Sequence, residues 1–68
     1  EEEQVEKRMG EIDKLLSSKG SLQMSEVFGP IFSRQAFVVT FLALLEMARL
    51  GRVHLVQEVL FGDVRLSR

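Results

Sequence analysis

The chain has 68 residues, which is enough for one small domain. Hydrophobic residues make up 46% of it, so a core can form without covalent or metal support. The sequence has no cysteine and a single histidine, His54. This excludes a disulfide framework, thiolate zinc sites, a cysteine nucleophile and metal sites built on a pair of histidines. No apolar run approaches the roughly 20 residues of a bilayer span, so we expect no membrane partner.

Charge is distributed unevenly along the chain. The net charge is −1, but residues 1–32 carry −3 and residues 33–68 carry +2. Nucleic-acid-binding domains concentrate far more positive charge on one face, so this balance disfavours phosphate binding as the main task. The chain begins at Glu1 without a methionine, in what reads as a helix already under way. We expect a single domain over residues 1–68, belonging to a longer cytosolic protein.

The first segment has the pattern of an amphipathic helix. Its apolar residues are spaced by four, three and four positions, with charged residues between them: Val5, Met9, Ile12 and Leu16. This spacing predicts one buried stripe. Gly20 is predicted to end the helix in the left-handed conformation, with Lys19 complementing the helix dipole just before it.

A short strand and a short helix are predicted next. Ser21–Met24 alternates polar and apolar residues, which is typical of a brief strand. Ser25 is predicted to open a helical turn that has Glu26 near its start and that ends at Gly29-Pro30. Ser33 then stands where an N-cap is expected, ahead of a long helix.

The long helix, from Ser33 to Leu50, is apolar around most of its circumference. One predicted face contains Phe37, Phe41, Leu44 and Ala48. A second apolar strip contains Val38, Leu42 and Leu45. The pattern alone does not decide which face packs in the core. A helix with so wide an apolar surface is normally buried on several sides, and a 68-residue domain is too small to cover it all.

After Gly51 the pattern changes to the period of two that strands have. Val53–Glu58 and Val64–Leu66 are predicted to be strands, with the turn over Val59–Asp63. The order of helix, short strand, short helix, long helix and hairpin predicts an α+β winged-helix domain. Such a domain consists of three helices and a β-hairpin wing.

The sequence gives little support for catalysis or cofactor binding. Glu11 and Asp13 are two positions apart on a helix, so their side chains point in different directions. His54 is predicted to be a partly exposed wing residue with no second ligand nearby. The five glycines are scattered singly and form no phosphate-binding loop. We therefore expect no enzyme activity and no cofactor.

Two binding functions remain. DNA binding is the usual role of this architecture, and the long helix offers Arg34, Gln35 and Thr40 for base contacts, with Arg52 and Arg65 for phosphates. The apolar neighbours of these residues would lose their burial in a hydrated groove, so direct sequence-specific DNA binding is the weaker alternative. Protein binding fits better, because contiguous exposed apolar surface usually marks an interface. A third possibility is that the first helix and the wing cover the long helix completely.

The second half of the chain also resembles a known family. Four segments carry the resemblance in order: Thr40–Met47, Arg49–Val53, Gln57-Glu58 and Phe61–Val64. Together they resemble the C-terminal domain of segregation and condensation protein A, the prokaryotic kleisin. The match is dense over residues 33–66 and loose before that. Met47 replaces the leucine that is usual in the family, which is a conservative change.

The resemblance implies a partner and a surface. Kleisins bridge the two ATPase heads of a structural-maintenance-of-chromosomes dimer, and their C-terminal winged helix docks on one head. Other subunits of the condensin-like complex would bind parts of the protein outside this chain, in the cytoplasm and near the nucleoid. Family docking surfaces use the third helix and the first wing strand. Carried over to this sequence, they imply Phe41, Leu45 and Gln57, with Glu58 and Arg52 as their neighbours.

Overall fold

The computed structural model describes residues 2–57, 60 and 62–68, apart from the side chains of residues 2 and 3. Its elements are α1 (Glu2–Lys19), β1 (Ser21–Gln23), α2 (Met24–Phe28), α3 (Arg34–Arg49), β2 (His54–Gln57) and β3 (Val64–Ser67). The three strands form one antiparallel sheet in the order β1-β3-β2. The predicted fold class is confirmed: this is a small α+β domain with three helices and a wing.

Helix α1 buries the predicted stripe. Met9, Ile12 and Leu16 are buried in the core, and Val5 packs against them. Gly20 follows the helix with a φ of +85°, and its N–H donates to the carbonyl of Leu16 at 2.7 Å. A side chain is strained at such a φ, which explains why a glycine ends α1.

The predicted brief strand is present as β1, although Met24 belongs to α2, and it adds a third strand to the predicted hairpin. β1 pairs with β3, with Leu22 opposite Leu66, and both of these side chains are buried. β2 begins at His54, one residue later than predicted. Val53, just before it, is buried in the core. β3 extends one residue beyond the prediction, to Ser67. Glu58 lies outside the described residues.

The predicted start of α2 at Ser25 is wrong. The N-cap residue is Gln23, whose extended backbone leads into the helix, and its N–H donates to Oε2 of Glu26 at 2.8 Å. Glu26 therefore returns to the start of the helix as in a capping box. Ser25 lies inside the first turn, and its hydroxyl donates to Asp63 instead.

Helix α3 begins as predicted. Ser33 is its N-cap, and Oγ of Ser33 accepts a hydrogen bond from the N–H of Ala36 at 3.0 Å. Arg49 is the last helical residue, and Gly51 has a φ of +73° in the turn that follows. Helix α3 packs along α1. The two helices contribute most of the buried core residues, and residues of β1, α2 and β3, together with Val53, complete the core.

The buried face of α3 is neither of the two apolar strips seen in the sequence. Its buried residues are Val39, Thr40, Ala43, Leu44 and Met47. Of the predicted face with Phe37, Phe41, Leu44 and Ala48, only Leu44 is buried, so that face is not the core face. Because the polar Thr40 lies on the buried face, that face does not stand out as an apolar strip in the sequence. Thr40 is only 1% exposed, and Nε of Arg8 donates to its hydroxyl oxygen at 3.0 Å.

No helix among the described residues is long and apolar enough to cross a membrane.

Candidate protein-interaction surface

One face of α3 presents a continuous apolar surface to solvent, which we call the outer strip. Its five members are all exposed: Phe37, Val38, Phe41, Leu42 and Leu45. They are three or four positions apart along two adjacent rows, so their side chains are neighbours on the helix. At about 100° per residue, the centre of this strip lies roughly opposite the centre of the buried face. The core therefore leaves this face of α3 uncovered.

The outer strip contains the two helix residues predicted to form the interface. Phe41 is 50% exposed and Leu45 is 51% exposed. They are four positions apart, one helical turn, and share a row with Phe37. The structure therefore brings Phe41 and Leu45 together on one accessible surface.

A shallow groove borders the outer strip on the side of the wing, and we call it the wing groove. Its apolar lining comes from α2 and α3, and its polar lining comes from α2 and the residue before β3: Met24, Phe28, Phe37, Phe41, Ser25 and Asp63. The rings of Phe28 and Phe37 are in contact, with centroids 4.7 Å apart and planes inclined by 47°. This tilted arrangement is one that aromatic pairs favour.

Asp63 connects the wing to α2. Its Oδ2 accepts a hydrogen bond from the hydroxyl of Ser25 at 2.5 Å, and its Oδ1 accepts one from the N–H of Val64 at 2.8 Å. The hydrogen bond from Ser25 is the main reason that the pKa of Asp63 lies below its usual range. In the sequence, Asp63 stands out only as the end of the predicted turn and as part of the segment Phe61–Val64. Its partner is 38 positions away, so no local signal identifies this contact.

The strand residue Gln57 is exposed at the end of β2. β2 forms an edge of the sheet, and all four of its residues are exposed. Nε2 of Gln57 donates to the carbonyl oxygen of Gly62 at 3.3 Å, across the wing. The side chain of Gln57 is therefore accessible to a partner, while Glu58 lies outside the described residues.

Arg52 has a different environment from the other predicted site residues. It follows α3 in a loop, and Nη2 donates to Oδ2 of Asp13 on α1 at 2.6 Å. Nη2 of Arg68 lies 3.6 Å from the other oxygen of the same carboxylate. Arg52 lines a second groove with Met9 of α1 and Leu50. The structure does not place it in the lining of the wing groove.

The three candidate base-contacting residues differ in exposure. Arg34 and Gln35 are exposed at the start of α3, whereas Thr40 is buried. Arg49 forms two hydrogen bonds of 2.7 Å with Glu46, which lower the pKa of that carboxyl. Arg65 donates to the hydroxyl of Ser21 at 3.1 Å. Arg49, Arg52 and Arg65 thus each have a hydrogen-bond partner within the domain, and for Arg49 and Arg52 that partner is a carboxylate.

Within the part of the chain that the structure describes, no group of three or more histidine, cysteine, aspartate or glutamate side chains could hold a metal ion.

The chain is similar to two proteins named segregation and condensation protein A. The protein of Brevibacillus brevis is 38% identical over 60 residues, which cover 88% of this chain and 24% of that protein. The protein of Clostridium acetobutylicum is 31% identical over 64 residues, which cover 94% of this chain and 26% of that protein. No protein-family model matches the chain. The chain thus spans about a quarter of the length of these relatives, and the resemblance predicted from its motifs is confirmed.

Proposed function

We propose that this chain, a relative of segregation and condensation protein A over about nine-tenths of its length, is a kleisin C-terminal winged-helix domain. In this role it docks on the ATPase head of a structural-maintenance-of-chromosomes protein. Docking closes a complex that acts in chromosome condensation and segregation, in the cytoplasm and at the nucleoid. The observation that carries the proposal is the outer strip of α3, whose five apolar side chains are exposed to solvent.

The outer strip has the composition of an interface centre. Burying one large apolar side chain completely is worth about 1.5–3 kcal/mol, and the members of the strip retain roughly two-fifths to half of their exposure. A partner that covered the strip would therefore gain several kcal/mol in total before the costs of association. Polar residues such as Arg49 and Gln57 are exposed and would provide the rim of such an interface.

The proposed role is non-enzymatic. The chemistry of ATP hydrolysis would belong to the head, and the domain would supply a binding surface. Other subunits of the condensin-like complex would contact parts of the kleisin beyond the quarter of its length that this chain spans. The domain would not read DNA sequence, because Thr40 is buried and the exposed face of α3 carries the apolar outer strip in place of a row of polar side chains.

Binding to the isolated head tests the proposal. The chain is mixed with the head domain of the structural-maintenance-of-chromosomes protein from the same organism, and co-elution in size-exclusion chromatography is followed by a calorimetric titration. We expect a stable complex with the head. For duplex DNA at physiological salt we expect a dissociation constant no better than about 100 µM, at the weak end of non-specific binding. A tight, salt-sensitive complex with DNA and no complex with the head would contradict the proposal.

A further inference from the structure

We propose that the wing groove receives a bulky apolar side chain of the docked partner, and that Asp63 is the positioning residue that fixes the groove's wall. This inference rests on the proposed function, since it assumes that a protein covers the outer strip. The groove, however, has lining residues that are not part of the outer strip, so variants of those residues distinguish this inference from docking through the strip. The groove is formed where α2, α3 and the segment ahead of β3 meet.

The groove is chemically suited to an apolar occupant. Its lining is apolar apart from Ser25 and Asp63, and these two residues are bonded to each other. Both oxygens of the carboxylate already accept hydrogen bonds, one from the Ser25 hydroxyl and one from the Val64 N–H. Ser25 and Asp63 are both exposed to solvent. An apolar side chain that packs on the four apolar residues of the lining therefore need not withdraw the charged carboxylate from water, which would be costly.

The groove is continuous with the outer strip. Phe37 and Phe41 belong to both, and about half of each side chain remains exposed. A partner that packs on Leu45 and Phe41 from outside therefore meets the groove at the next turn of the helix. An anchor side chain that fills a pocket at the centre of an interface is the typical form of a binding hot spot.

Asp63 determines the width of this groove through its contacts. The Ser25 hydroxyl is on the first turn of α2, and the Val64 N–H begins β3. The 2.8 Å hydrogen bond from the N–H of the next residue, Val64, orients the carboxylate within its own segment, and the single 2.5 Å hydrogen bond from Ser25 joins that segment to α2. Without this bridge the wall of the groove would be free to move, and docking would require it to be ordered again.

A double-mutant cycle on head binding tests the positioning role. We expect Asp63→Ala and Ser25→Ala each to weaken binding at least tenfold while the domain still unfolds cooperatively. The double variant should bind no more weakly than the weaker single variant, because both changes remove the same bridge. Asp63→Asn is the matched control. Its carbonyl oxygen can accept from Val64 and its amide can donate to Ser25, so binding should stay within about threefold of wild type.

Filling the groove tests the occupant. Met24 also packs against the core, so the test requires that the Met24→Trp domain still unfolds cooperatively. In that folded variant head binding should weaken at least tenfold, while Lys14→Trp, which adds the same bulk on the exposed face of α1, should leave it unchanged. Wild-type affinity in Met24→Trp would contradict the proposal that an apolar side chain occupies the groove.

Wild-type affinity in both Asp63→Ala and Ser25→Ala would contradict the positioning role of Asp63. An equal loss of affinity in Asp63→Asn and Asp63→Ala would contradict it as well. If the wild-type chain does not bind the head, the proposed function fails and this inference fails with it. If Leu45→Arg on the outer strip weakens binding and none of the groove variants does, the proposed function stands and only the role of the groove is excluded.

Discussion

Arg8 connects three helices through one guanidinium group. Its Nε donates to the buried Thr40 hydroxyl of α3 at 3.0 Å, and its Nη2 donates to the carbonyl of Val27 in α2 at 3.2 Å. Its Nη1 also bonds Glu11, one turn further along α1, at 3.1 Å. The polar threonine is therefore tolerated in the core because a cation from another helix satisfies it. No property of the sequence near position 8 indicates this role.

Removing the guanidinium should destabilise the domain. We expect Arg8→Ala to lower the free energy of unfolding by about 1–3 kcal/mol, because the buried Thr40 hydroxyl and the Val27 carbonyl lose a donor. Lys7→Ala is the control, since Lys7 is an exposed neighbour on the same helix, and it should change stability by no more than about 0.5 kcal/mol. Urea unfolding followed by circular dichroism gives both values. Equal values for the two variants would show that the Arg8 contacts contribute nothing.

At Gln57 a single substitution separates an interface strand from an ordinary solvent-exposed wing. Gln57→Lys should leave the melting temperature unchanged, because the side chain is exposed and the lysine can still donate toward Gly62. If β2 lies in the interface, the ammonium would be desolvated there without an acceptor of its own. We expect head affinity to fall at least tenfold, which is about 1.4 kcal/mol. Wild-type affinity in the folded variant would remove β2 from the proposed interface.

At the level of elements, the sequence predicted which helices and strands are present better than it predicted which of their faces are buried. The stripe of α1, the Ser33 cap and the glycine after each long helix are all local features, and each is found as predicted. The face of α3 was not predictable, because nearly every position around the helix is apolar. The choice depends on which side α1 covers, and that contact is made across the fold. The predicted start of α2 was wrong for a related reason, since the Ser25 hydroxyl donates its hydrogen bond to the distant Asp63.

Two adjacent leucines test the assignment of the faces of α3. Leu44 is 3% exposed and Leu45 is half exposed. We expect Leu44→Ala to cost about 2–5 kcal/mol of stability, because it leaves a cavity in the core. Leu45→Ala makes the same chemical change on the outer strip and should cost less than about 1 kcal/mol. The free energies of unfolding of the two variants give the comparison. A larger loss for Leu45→Ala would mean that the two faces are exchanged.

For the whole molecule, the winged-helix class followed from the order of the elements, but the assembly of the sheet did not. β1 joins β3 across 44 positions of sequence, and three residues of strand carry no signal for that pairing. Of the predicted interface, Phe41 and Leu45 lie together on the outer strip and Gln57 is exposed on β2, whereas Arg52 pairs with Asp13. The wing groove is formed by residues from three parts of the chain, so only the folded structure reveals it.

The lowered pKa values of three carboxyl groups determine how the stability of the domain should depend on pH. The pKa values of Glu26, Glu46 and Asp63 are lowered, chiefly by hydrogen bonds from the Gln23 N–H, Arg49 and Ser25 respectively. A lowered pKa in the folded state stabilises the fold above the unfolded value, which is about 4 for these groups. That contribution is lost as the pH falls through the folded pKa.

Urea unfolding at a series of pH values checks this dependence. We expect the free energy of unfolding to be nearly constant between about pH 7 and 5.5 and to decrease below about pH 4. Glu26→Gln should make the decrease on the acid side less steep, because it removes one of the three groups. A stability that rises as the pH falls from about 5 to 3 would contradict the assignment of these pKa shifts.

The affinity of the Leu45→Arg domain for the isolated ATPase head tests the central claim most directly. Leu45 lies on the outer strip and is half exposed, so the arginine can extend into solvent and the free domain should melt cooperatively near the wild-type temperature. In a complex, the charge would be buried where an apolar side chain is expected. We predict that calorimetric titration will show binding weaker by at least about 2 kcal/mol, or roughly 30-fold. Wild-type affinity in a folded Leu45→Arg domain would contradict docking through the outer strip of α3.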